Sequence, residues 1–137
     1  MAVLRRTPEA PLRVLLADDS VTDLLHMERL LARLGCACDI ATDGAQAVEA
    51  AATQPYDFVF MDLEMPECNG IDATRRIHAA LGPQSPYIVA LTGHNKPMDR
   101  RACADAGMDD FLVKPVRLTT LSNLLGPGAP QPGTAAA

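Results

Sequence analysis

The sequence predicts a doubly wound α/β domain, and three observations predict it. Short apolar runs alternate with stretches of three-to-four apolar spacing, five of each, between Leu12 and Leu125. The spaced stretches are too long for hairpin turns, so they read as helices that make right-handed crossovers between parallel strands covered on both faces. With 137 residues, 48% of them apolar, the chain has room for one such domain and a core of its own.

Arg13–Ala17 (RVLLA) is the first strand. Ser20 reads as the N-cap of the first helix, whose apolar face is Val21, Leu24, Leu25, Leu31 and Leu34. Cys38–Thr42 (CDIAT) is more polar and reads as a strand at a sheet edge. Asp43-Gly44 opens a second helix, marked by Ala45, Val48 and Ala52 and stopped by Gln54-Pro55. Asp57–Met61 (DFVFM) is the third strand, and Ile71, Thr74, Ile77 and Leu81 mark a helix ended by Gly82-Pro83. Tyr87–Leu91 (YIVAL) is the fourth strand, followed by a helix from Pro97 to Ala106 with Gly107 behind it. Asp110–Val113 (DFLV) is the fifth, and Leu118, Leu121 and Leu125 give a last helix stopped at Gly126. The domain is expected over 12–125, with 1–11 a flexible lead-in and 126–137, rich in Gly, Pro and Ala, a disordered tail.

Composition removes several classes of function. A net charge of −5 and a pI near 5.0 give no basic face for nucleic acid. No apolar run approaches the roughly 18 residues of a membrane span, and MAVLRR lacks a secretory core, so a cytoplasmic location without membrane insertion is expected. The four cysteines and three histidines fall at no zinc or C-x-x-C spacing and read as free thiols and ordinary side chains. No phosphate-binding G-x-x-x-x-G-K-[ST] loop occurs.

In an open parallel sheet the chemistry collects beyond the C-terminal ends of the strands. Those ends carry Asp18-Asp19, Asp62, Thr92 and Lys114-Pro115. Three carboxylates at one edge repel one another, and a cation resolves the conflict; all-oxygen ligands with room for water suit Mg²⁺. Asp19 and Asp62 are the expected direct ligands, while Asp18 either acts through water or belongs to an ordinary acidic loop. Lys114 is suited to a phosphoryl oxygen or, without one, to pairing with Asp62. The Thr92 hydroxyl and the Gly93 N–H are further donors. A carboxylate, a cation, an ammonium and a hydroxyl around one point suit phosphoryl transfer, with Asp62 the nucleophile that becomes an aspartyl phosphate.

LLADDS at 15–20, DG at 43–44, FVFMDLEMPECNG at 58–70, ALTG at 90–93 and AGMDDFLVKPV at 106–116, in that order and spacing, resemble the receiver domain of two-component response regulators. Within the family the phrases are most similar to receivers associated with hybrid sensor kinases in phosphorelays. The resemblance implies a flavodoxin-like (βα)5 three-layer sandwich with strand order 2-1-3-4-5. It implies Asp62 as phosphoacceptor, Asp19 as the acidic Mg²⁺ ligand with Asp18 beside it, and the Glu64 backbone carbonyl as a third protein ligand. Thr92 takes the place of the switch hydroxyl, Lys114 that of the signature lysine, and Phe111 that of the switch aromatic, with a core aromatic as the alternative. The resemblance also implies that the Glu64 side chain and His94 stand at the two modulating positions that flank the reaction centre, which the family varies. The implied donor is a phosphohistidine on a histidine kinase or histidine phosphotransfer protein. Output then runs through a downstream protein, onward transfer or a phosphorylation-dependent dimer, with no turnover of a separate substrate. The rival readings are a phosphorylation-independent interaction module and a small aspartate-nucleophile phosphatase using Glu64 as acid.

Overall fold

Runs of aliphatic and β-branched residues form five strands, β1 (Val14–Ala17), β2 (Cys38–Ala41), β3 (Phe58–Asp62), β4 (Tyr87–Thr92) and β5 (Asp110–Val113). The stretches of helical spacing form α1 (Val21–Arg33), α2 (Gly44–Thr53), α3 (Gly70–Leu81), α4 (Pro97–Ala106) and α5 (Leu118–Leu125). The structure, a computed structural model, describes residues 12–93 and 97–126. The expected lead-in, His94 and the tail beyond Gly126 lie outside the described residues.

All strand pairs are parallel and the order is β2-β1-β3-β4-β5, the (βα)5 flavodoxin-like arrangement. Every residue of β1 and β3 is buried, whereas β2 lies at the edge that its polar residues predict. Side chains alternate along a strand, and this sorts the core into two layers. Leu16, Phe60 and Leu91 pack with Leu24 and Leu31 of α1 and Leu121 and Leu125 of α5. Their neighbours Ala17, Met61 and Ala90 pack on the other side with Ala47 of α2, Ile77 of α3 and Cys103 of α4.

Three helices start where a side chain caps them. Ser20, Asp43 and Asn69 accept hydrogen bonds from the N–H groups of Asp23, Gln46 and Asp72, replacing partners that the first helical turn lacks. Several element ends differ by one residue from the sequence reading, each for a hydrogen-bonding reason. The Arg13 N–H donates to the Asp57 carboxylate at 2.8 Å, so the ladder begins at Val14. Asp62 pairs with Leu91 and Thr92 with Val113, so β3 and β4 run one residue further than expected. The Thr42 N–H turns to the Gln46 side chain at 2.9 Å and ends β2 at Ala41. Gly82-Pro83 not only ends α3 but starts a 3-10 turn over Gly82–Gln84.

Two glycines are set by close approach. A Cβ on Gly44 would overlap the Cys68 carbonyl oxygen, and one on Gly70 would overlap that of Asp62. The segment between β3 and α3 is thereby pressed against the start of α2. Cys36, Cys68 and Cys103 are buried, Cys38 is half-buried, and none of the four is in a disulfide. Burial, with Glu28 and Asp39 nearby, pushes the Cys38 thiol up to about 11, far from a reactive thiolate.

Candidate functional site

The strand register assembles the site. Ala17 pairs with Met61, so Asp18 and Asp62 are neighbours one step past the paired core, and Lys114 leaves β5 just after Val113, the partner of Thr92. By alternation, Asp62 continues the parity of Phe60 and Lys114 that of Leu112, toward α1 and α5. Thr92 has the parity of Ala90, and Phe111 shares a rung with Ala90, toward α4.

Lys114 is the hub. Its Nζ donates to Asp18 Oδ2 at 2.9 Å, to Asp23 Oδ2 at 2.7 Å and to Asp62 Oδ1 at 3.2 Å. Burial works against the charged ammonium, but the hydrogen bonds to Asp23 and Asp18 and the charge of Asp62 outweigh it and raise the lysine above its ordinary value. The Lys114-Pro115 peptide bond is cis.

Asp18 is buried after β1, and its second oxygen accepts the Ser20 N–H at 2.9 Å. Asp62 is only 6% exposed. Burial first, and the Asp18 charge second, push its carboxyl up from 3.8 to about 6 against the opposing pull of Lys114 and a hydrogen bond from the Glu64 backbone N–H. Asp19 is exposed at the mouth of the site. One oxygen from each of Asp18, Asp19 and Asp62 lies within 4.8 Å of the others. Opposed ligands of an octahedral Mg²⁺ are about 4 Å apart, and hard carboxylate oxygens are its preferred donors, so this set fits the ion with side-chain adjustment.

Thr92 is buried at the end of β4, 5% exposed. Phe111 is half-buried against the α2–α4 layer, with the Arg100 guanidinium 4.5 Å from its ring centre. Phe111 is therefore both packed and capped by a cation, a geometry that holds the ring by dispersion and cation–π attraction. The Glu64 side chain is exposed beyond Asp62.

Asp23 escaped the sequence reading. Nothing in a helical first-turn carboxylate distinguishes a tertiary ion pair from an ordinary capping charge, and its partner is 91 residues away. The available signal was its spacing from the Ser20 cap, which fixes the turn on which it sits. His26, one turn on, hydrogen-bonds through Nε2 to the Val116 carbonyl at 2.8 Å, which requires the proton on Nε2.

Comparison with known proteins agrees with this fold. Residues 14–125 match the response regulator receiver domain family. The chain is 34% identical over 112 residues to the signal transduction histidine-protein kinase BarA of Escherichia coli, covering 82% of this chain but only 12% of that protein. Among solved structures it is similar to the receiver domain of a sensor histidine kinase from Pseudomonas aeruginosa with a magnesium ion coordinated in the active site cleft. That pair shares 36% identity and a TM-score of 0.78 over 85% of this chain and 95% of the other. A second similar structure is the receiver domain of the Saccharomyces cerevisiae response regulator Ssk1, co-crystallised with the histidine phosphotransfer protein Ypd1. There the identity is 30% and the TM-score 0.75, over 82% and 85% of the two chains.

Proposed function

Because the chain belongs to the response regulator receiver family, we propose that it accepts a phosphoryl group on Asp62 from a phosphohistidine and signals through protein contacts or onward transfer. The observation that carries this is the buried Asp62 carboxylate, beside Asp18 and Asp19 and within reach of Lys114. A receiver domain promotes its own phosphorylation and dephosphorylation rather than turning over a separate substrate.

In the proposed step an Asp62 oxygen forms a bond to phosphorus while the phosphorus–nitrogen bond of the phosphohistidine breaks, and the leaving imidazole takes a proton. At neutral pH a carboxyl at about 6 is largely ionised and ready to attack. Asp18, Asp19, Asp62 and the Glu64 backbone carbonyl would hold Mg²⁺, which when bound neutralises phosphoryl oxygens. Lys114 directs N–H bonds at the arriving phosphoryl group, and the Thr92 hydroxyl donates to it once transfer is complete. Added charge at Asp62 then draws Thr92 inward and biases Phe111 and the α4–β5 surface between two packings. Glu64 and His94 set access of water to the acyl phosphate.

The donor is a histidine kinase or histidine phosphotransfer protein. Val21 and Leu25, 71% and 47% exposed, lie four residues apart on α1 beside the site and offer an apolar landing place for such a partner. A downstream protein or a second phosphorylated copy reads the α4–β5 surface. Among the described residues no helix is long and apolar enough to cross a membrane, and we place the domain in the cytoplasm, where histidine kinases present their phosphohistidines.

Incubation with Mg²⁺ and acetyl phosphate, followed by intact mass, tests the reading. One added phosphoryl group that is absent in Asp62→Ala is expected; no gain with acetyl phosphate or a phosphohistidine donor refutes it.

A further inference from the structure

Lys114 has three N–H bonds and three carboxylate partners, at 2.9 Å in Asp18, 2.7 Å in Asp23 and 3.2 Å in Asp62. Asp18 and Asp62 belong to the group of oxygens that converges where a cation fits, and Asp23 does not. Asp23 is nonetheless a fixed residue. Its N–H donates to Ser20 Oγ at 3.2 Å, and three residues along the helix His26 reaches the Val116 carbonyl. Residues three apart share a helix face. One face of α1 is thus fastened twice to the segment after β5, across a cleft of about 390 Å³ walled by Met27, Leu91 and Pro115.

We infer that Asp23 is a positioning residue for phosphoryl transfer, the outer carboxylate that holds the Lys114 ammonium toward α1 and off the Asp62 nucleophile. The inference rests on Asp62 being the phosphoacceptor and goes beyond it by giving α1 a part in the chemistry. Competition for one ammonium is the physical basis. Without the Asp23 charge, the carboxylates left to Lys114 among the observed partners are Asp18 and Asp62. The ammonium then closes on the oxygens that must meet the cation and attack phosphorus. With Asp23 in place, the bond to the nucleophile is the longest of the three, and Lys114 keeps a tether when Asp18 and Asp62 are otherwise engaged. Its remaining N–H bonds are then oriented in advance on the phosphoryl oxygens, where fixed donors are most effective.

The test is a set of phosphorylation rates on the full chain, at saturating Mg²⁺ and acetyl phosphate, followed by intact mass, with urea unfolding of every variant. Asp23→Asn, which keeps the shape and removes the charge, is expected to lower the maximal rate about tenfold. Asp23→Glu is expected to recover most of it. In a Lys114→Met background Asp23→Asn is expected to change the rate less than about twofold, because the residue acts only through the lysine. A folded Asp23→Asn chain that phosphorylates as fast as the wild type overturns the inference, as does an equal loss when Lys114 is absent. A wild-type chain that gains no phosphoryl group overturns the reading of Asp62 itself, a separate and recognisable result.

Discussion

Replacing Asp62 with asparagine is expected to make the metal-free fold more stable. The wild-type carboxyl sits at about 6 instead of 3.8, because burial and the Asp18 charge disfavour its ionised form more than Lys114 favours it. The native state therefore binds this proton more tightly than the unfolded chain does. That stabilisation is complete below about pH 4, where both states are protonated, and is lost as pH rises through about 6. Each step of one in pKa corresponds to about 1.4 kcal/mol, so ionising Asp62 costs the fold about 3 kcal/mol at pH 7.5. The amide of the Asp62→Asn variant has no such charge to bury and can still accept from Lys114. Urea unfolding in EDTA between pH 4 and 8 provides the assay. With a slope of roughly 1–2 kcal/mol per molar urea, the pH 7.5 midpoint is expected to rise by about 2 M, and the fall in stability between pH 4 and 6 to flatten. Saturating Mg²⁺ should close the gap by stabilising the wild type, by about 2.7 kcal/mol at a hundred times its dissociation constant. A variant less stable than the wild type at pH 7.5, or one with an unchanged slope between pH 4 and 6, would refute the reasoning.

Three further outcomes are expected. Asp19→Asn, at an exposed position, should weaken Mg²⁺ binding at least tenfold by calorimetry while moving the metal-free urea midpoint little. Gly44→Ala favours a helix intrinsically, but its Cβ would collide with the Cys68 carbonyl, so thermal unfolding should show a net loss of about 3 kcal/mol; a neutral or stabilised variant would disprove that contact. Leu121→Ala removes a fully buried side chain from the α1–α5 layer and should cost about 3–5 kcal/mol by denaturant titration, with Asp62 phosphorylation retained in the folded fraction.

The fold was legible because the alternation of apolar runs and helical spacings leaves few ways to cover a sheet, and because the starts of α1, α2 and α3 carry their own capping residues. The convergence of Asp18, Asp19, Asp62 and Lys114 at one edge, with Thr92 at the end of β4, was legible for a related reason. Each is a polar residue at the end of an apolar run, which a parallel sheet delivers to one edge. Strand ends were less so, since whether Arg13 or Thr42 joins the ladder depends on the side chains of Asp57 and Gln46, not on their own preferences. Asp23 was hidden because its partner is fixed by the rotation of α1 against the segment after β5, a tertiary quantity. The same holds for His78, whose ring bridges Ser85 Oγ at 2.9 Å and the Gly107 carbonyl at 2.8 Å, joining α3 to the turn before β5.

If the proposed roles hold, the two-layer parity of the strands makes the sheet a partition between delivery and readout. Asp62 and Lys114 extend the side under α1, whereas Thr92 and Phe111 extend the side under α4. A donor protein seated over Val21 and Leu25, as proposed, would meet α1 and not the side of the sheet that carries Phe111 and Arg100. On that reading, arrival of the phosphoryl group and recruitment of its reader would be free to overlap in time, with no need for the donor to depart first.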